Sequence, residues 1–151
     1  MASILFVCTG NICRSPTAEG ILRHRLEAAE MTHVQVTSMG THGLANAPPS
    51  DLALKVCEDH GIDISEHRSR GLVGEEIQDA DLILCMEPAH RKFLQTFFPW
   101  QKDRVALLGA WPEKETRKSA IRDPMGSTLK VYQQVYDHIE SHIDRIQSLL
   151  F

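Results

Sequence analysis

Residues 3–16 read Ser-Ile-Leu-Phe-Val-Cys-Thr-Gly-Asn-Ile-Cys-Arg-Ser-Pro. Ser3 to Val7 has the length and apolar content of a buried strand, and the residues after it change character at once. Gly10 and Asn11 are types that tolerate positive φ, as a tight loop requires. Ser15 then reads as a helix N-cap, with Pro16 at the first helical position. From about Pro16 to Glu30, Ala18, Ile21, Leu22, Leu26 and Ala29 form an apolar stripe. A buried strand that runs through a short loop straight into an amphipathic helix is the opening of a βαβ unit.

The rest of the chain repeats that alternation. Val34, Val36 and Ser38 mark a second strand, followed by a Gly, Ala and Pro-rich loop from Gly40 to Ser50 whose length suits a functional role. A helix is expected over Asp51 to His60, closed by Gly61, and His67 to Gly74 reads as polar and irregular. Asp81 to Met86 is a third buried strand, a helix starts at Pro88 and stops before Pro99, and Arg104 to Leu108 is a fourth strand. Ser127 is the expected cap of a last helix carrying Val135, Ile139, Ile143, Ile146 and Leu150 at helical spacing. Strands alternating with helices imply a parallel sheet covered on both faces; the architecture expected is one doubly wound α/β domain over residues 1–151, its four-stranded parallel sheet in a flavodoxin-like order of about 2-1-3-4.

Composition narrows the function by exclusion. Sixteen Lys and Arg against twenty Asp and Glu give a net charge of -4, so no nucleic-acid partner and no polybasic membrane contact is expected, and any anion site has to be local. The early apolar run is too short for a signal peptide or membrane insertion, which makes the cytoplasm the expected compartment. Cys8, Cys13, Cys57 and Cys85 form no CxxC pair, and the histidines His24, His42, His60, His67 and His90 have no metal-ligand spacing and read mostly as surface or loop residues. No metal and no organic cofactor is expected, and reduced thiols are the default, with Cys57 and Cys85 as core packing residues.

A Cys-x5-Arg spacing by itself arises readily by chance; its position between a strand and a helix gives it meaning. Unpaired backbone N–H groups and the positive end of the helix dipole make such a turn a cradle for a tetrahedral dianion. Cys8 at its base would be held as a thiolate nucleophile, and Arg14 at its rim could grip two phosphate oxygens with its planar fork. Thr9, Gly10, Asn11, Ile12 and Cys13 would supply the walls and N–H groups. The Ser15 hydroxyl could donate to the Cys8 sulfur and help it depart in a second step.

The stretch CTGNICRSPTAE, residues 8–19, resembles the signature of the low-molecular-weight protein-tyrosine phosphatases. The resemblance extends along the chain. Ser38-Met39-Gly40-Thr41 is similar to the family's SAGT segment, Pro49-Ser50-Asp51 to its Pro-x-Asp helix start, and His67 to Arg70 to its HxAR stretch. Asp81 to Glu87 resembles its central strand and Asp123-Pro124 its general-acid motif. The resemblance implies the fold of that family and hydrolysis of phosphotyrosine in a protein substrate through a phosphocysteine on Cys8. It also implies that Asp123 protonates the leaving oxygen and then activates water. It further implies a reversible disulfide between Cys8 and Cys13, set against the plain alternative that Cys13 is a packing thiol.

Two positions depart from the pattern: Leu44 and Met125 stand where the family commonly has aromatic pocket walls, so ring stacking on a phenyl phosphate should be weaker. An arsenate reductase of similar fold would need a further cysteine after Cys85, which this chain lacks. A protein-arginine phosphatase would carry Thr where this chain has Ile12, and a silent phosphopeptide-binding module would need neither Cys8 nor Asp123.

Overall fold

The computed structural model describes residues 2–151. Strand β1 (Ala2–Cys8) pairs in parallel with β2 (Val34–Gly40) on one side and β3 (Leu82–Cys85) on the other, and β4 (Val105–Leu107) pairs with β3. The resulting four-stranded parallel sheet has the order β2-β1-β3-β4, the flavodoxin-like order expected. The register brings Cys8 level with Gly40 and Val7 level with both Met39 and Cys85, so three strand ends meet at one edge around the start of the Cys8 loop.

Strand periodicity divides the core in two. Ile4, Phe6 and Cys8 face one side of the sheet, where they pack with α1 (Arg14–Ala28), α2 (Asp51–Asp59) and α5 (Leu129–Leu150). Leu5, Val7, Ile83 and Cys85 face the other, against α3 (Gly74–Asp79) and α4 (Pro88–Phe97). Both faces are apolar because both are covered, which is why the strands read as continuous hydrophobic runs. Cys57 and Cys85 are buried in these two cores as expected.

Several local expectations are corrected. Helix α1 begins at Arg14 with Cys13 as its N-cap residue, not at Pro16 with Ser15 as cap. The Ser15 side chain is drawn away from the helix terminus by partners in the loop, and Pro16 sits a turn-position further in. Ala29 is exposed rather than part of the buried stripe, because the chain leaves the helix there and Glu30 takes a positive φ of 57°. The last helix is capped by Thr128, whose side chain accepts from the Val131 N–H, and not by Ser127. The short helix α3 and the 3-10 turn Pro99–Arg104 were not expected; each is too short to show a periodic pattern. No helix among the described residues is long and apolar enough to cross a membrane.

Candidate active site

The loop from Cys8 to Cys13 is shaped by where its carbonyls go. Those of Cys8, Thr9, Gly10 and Ile12 accept from the backbone N–H groups of Thr41, His42, Leu44 and Ser50, and that of Asn11 accepts from His67 Nε2 at 2.7 Å. The Cys13 carbonyl accepts from the N–H and hydroxyl of Thr17. All six carbonyls are thus tied outward. Since the C=O of one residue and the N–H of the next point oppositely across a planar peptide, the N–H groups of residues 9–14 are turned toward the loop interior. Such a ring of inward N–H groups over a helix N-terminus is a site for an oxyanion.

The single left-handed residue in the loop is Asn11, with φ 59°; Gly10 does not use positive φ, contrary to expectation. Asn11 fits because its buried side chain is bonded on every side. The backbone N–H of Arg70 can only donate, so the Asn11 atom facing it at 3.1 Å is Oδ1, and Nδ2 therefore faces Ser15 Oγ at 2.8 Å and Ser38 Oγ at 2.9 Å. Ser38 in turn gives its own proton to the Glu19 carboxylate, 2.6 Å away. The directions from Arg70 through Asn11 and Ser38 to Glu19 are forced, and the Ser15 proton is left free. It has Cys8 Sγ at 2.9 Å and the Met39 carbonyl at 3.5 Å as acceptors, and with Cys8 as a thiolate, which can only accept, the nearer sulfur takes it. Gly40 is required here by close approach: a Cβ would collide with the Thr9 carbonyl oxygen.

Arg14 is 2% exposed, and its fork is held from behind. Nη1 donates to the Ile121 carbonyl at 2.8 Å and to Glu87 Oε1 at 2.9 Å, which leaves the Nε and Nη2 edge for a ligand. Nη2 lies 3.8 Å from Asp123 Oδ2, and Asp123 Oδ1 accepts from the Met125 N–H, which fixes the carboxyl at the loop mouth. Glu87 also caps α4 by accepting from the His90 N–H. His90 is buried, not a surface residue. Its Nδ1 accepts from the Glu87 N–H, so Nε2 carries the proton and donates to Thr9 Oγ1 at 2.8 Å. Burial first, and the Arg14 guanidinium second, hold the His90 imidazole down to about 4.

Cys8, Thr9, Gly10, Ile12, Cys13, Arg14, Leu44, Asp123 and Met125 line one pocket of about 280 Å³, so the structure brings together the residues singled out from the sequence. Asn11 and Ser15 are buried beneath it. His42 completes the lining and was not anticipated. Leu44 and Met125 are each about half exposed on the rim, and Tyr132 of α5 braces Met125 by donating to its sulfur at 3.2 Å. Burial raises the Cys13 thiol to about 12, so it rests protonated. Among the described residues no cluster of His, Cys, Asp and Glu could hold a metal.

The profile of the low molecular weight phosphotyrosine protein phosphatases matches residues 3–150. The chain belongs to that family. It is 38% identical over 138 residues to the low molecular weight protein-tyrosine-phosphatase Etp of Escherichia coli (strain K12), covering 91% of this chain and 87% of that one. A protein-arginine-phosphatase of Geobacillus stearothermophilus is 34% identical over 147 residues, covering 97% of this chain and 95% of the other. In three dimensions it is similar to the low molecular weight protein tyrosine phosphatase from T. tengcongensis, with a TM-score of 0.92 at 33% identity, covering 99% of this chain and 100% of that one. This phosphatase family member thus carries, besides its loop, supporting residues that the sequence reading missed: Glu19, Glu87, His90 and Tyr132. Their signal is weak in sequence, since each is a single residue whose role depends on the partners that folding brings to it.

Proposed function

We propose that the protein hydrolyses phosphotyrosine in protein substrates in two steps through a phosphocysteine on Cys8. The observation that carries this reading is the ring of six outward-tied carbonyls, which turns the N–H groups of residues 9–14 toward the interior of the loop that starts at Cys8. The phosphoryl group would sit there, with its equatorial oxygens shared between those N–H groups and the free Nε and Nη2 edge of Arg14. Cys8 attacks phosphorus as the P–O bond to the substrate breaks, and Asp123 gives the departing oxygen its proton. The same carboxylate then takes a proton from water as water attacks phosphorus, and the Cys8–phosphorus bond breaks. Inorganic phosphate leaves, and the Ser15 hydroxyl stabilises the thiolate that is released.

Two features support an aryl phosphate over a phosphorylated guanidinium or a short alkyl phosphate. Ile12, Leu44 and Met125 give the pocket hydrocarbon and thioether walls against which a flat ring buries apolar area. A phosphoserine stem is also too short to carry phosphate to the floor of the cradle. The four cysteines are free thiols, which suits the reducing cytoplasm as the place of action.

The test is a substrate profile of the parent and of Cys8→Ser. Phosphotyrosine peptides should be turned over well above phosphoserine and phosphoarginine peptides. Cys8→Ser should lose turnover while still binding phosphate or vanadate. A preference for phosphoarginine would overturn the substrate and leave the mechanism standing; residual turnover by pure Cys8→Ser would overturn the mechanism.

A further inference from the structure

Helix α4 buries His90 and Leu94 and leaves Phe93 and Phe97, one turn apart, on its outer side. Phe97 is 59% exposed, although an aromatic ring on a charged helix gains nothing from water. The two rings pack on each other with centroids 4.7 Å apart. Phe93 also meets the ring of His42 edge-on at 5.6 Å, and His42 is part of the pocket lining. Pocket and rings are therefore one surface: an aromatic ridge starts at the pocket wall and runs outward along α4 for about one helical turn, roughly 6 Å.

We propose that this ridge of His42, Phe93 and Phe97 is the docking surface for the substrate chain beside its phosphorylated residue, and that it selects an apolar or aromatic side chain there. The proposal rests on the phosphatase reading of the pocket. A peptide whose phosphorylated side chain enters the pocket must lay its neighbouring residues across the mouth. An extended chain advances about 3.3 Å per residue with alternate side chains on one face, so a residue within about four positions of the phosphorylated one reaches the ridge. Ring faces and edges there offer contact area at little entropic cost, which is the chemistry that recognises Phe, Tyr, Leu or Met rather than Asp or Glu. The outer face of α4 is then a selectivity element added to a pocket whose own walls hold no Phe, Tyr or Trp.

The experiment compares kcat/KM of the parent, Phe97→Ser, and Phe93→Leu with Phe97→Ser. The substrates are p-nitrophenyl phosphate and phosphotyrosine peptides of equal length flanked by Leu and Phe, by Ala, or by Glu. In the parent the apolar-flanked peptide should exceed the Glu-flanked one. Phe97→Ser should lower kcat/KM for the apolar-flanked peptide by about threefold to tenfold, through KM, and the double variant by more. Values for p-nitrophenyl phosphate should stay within about twofold, since neither phenylalanine lines the pocket. No flank preference in the parent, or an equal loss on the peptide and on p-nitrophenyl phosphate, would overturn the ridge while leaving the phosphatase reading intact. Self-association of the parent that Phe97→Ser abolishes, with flank preference unaltered, would assign the ridge to a second copy and also overturn the proposal. A parent inert toward p-nitrophenyl phosphate would remove the phosphatase reading and the ridge with it.

Discussion

Replacing Ser15 by Ala should leave phosphoryl transfer to Cys8 largely in place and slow the hydrolysis that follows. The asymmetry comes from the direction of one hydrogen bond. Glu19 fixes the Ser38 proton, Asn11 Nδ2 donates to one Ser15 lone pair, and a thiolate at Cys8 can only accept, so the Ser15 proton points at Cys8 Sγ, 2.9 Å away in a buried site. In the first step the sulfur gives up charge, so this bond does not help; in the second the sulfur recovers full charge as it leaves phosphorus. A hydrogen bond to a charged group contributes about 1.5–3 kcal/mol, which corresponds to about a tenfold to 150-fold slower second step. Stopped-flow release of p-nitrophenolate would read it: a burst near one equivalent of enzyme at a rate close to the parent's, followed by a depressed steady rate. Phosphoenzyme should accumulate in acid-quenched samples. The substitution also leaves a buried Asn11 N–H without an acceptor, a cost of about 1–3 kcal/mol that should appear as a lower Tm. A kcat within twofold of the parent, or a burst slowed as much as the steady rate, would refute the direction assigned to the bond.

Arg14→Lys should cost at least about a hundredfold in kcat despite the retained charge, because an ammonium cannot bridge two phosphate oxygens while also holding Glu87 and the Ile121 carbonyl; activity within a few-fold of the parent would contradict this. Asp123→Asn should steepen the dependence of burst rate on leaving-group pKa, and an unchanged slope would assign the acid elsewhere. His90 and His142 are both held near 4, below the ordinary 6.5, mainly by burial. Between those values the unfolded chain binds protons that the folded chain excludes, so stability is full above about pH 6.5 and falls as pH drops toward 4. His90→Gln should flatten that fall by up to one proton in urea midpoints measured at several pH values, and parallel curves for variant and parent would refute it. Mild peroxide should inactivate the enzyme and dithiothreitol restore it. In Cys13→Ser the loss should become permanent, and equal recovery of the two would leave Cys13 a packing thiol.

Much of this protein was legible in the linear order of its residues. The run Ser3 to Cys8 followed by Gly-Asn and Ser-Pro reads as a strand turning into a helix, and repetition of that unit set the parallel sheet. Cys8, Arg14 and the residues between them are local in sequence, so their meeting in one loop needed no tertiary information. Asp123 is different: it lies more than a hundred positions from Arg14, and it reaches the pocket because Ile121 is bonded both to Arg14 and to the Met86 backbone. The same holds for Glu19, Glu87, His90 and His42, single residues with no periodic pattern, whose partners are chosen by packing across the sheet. Even Ser15 was misassigned as a helix cap, because local chemistry offered it the helix terminus while the folded loop offered Asn11 and the Cys8 sulfur. A sequence specifies what each backbone segment prefers by itself. Which proton points at which acceptor depends on groups that only the closed sheet brings within 3 Å, and there the tertiary structure decides.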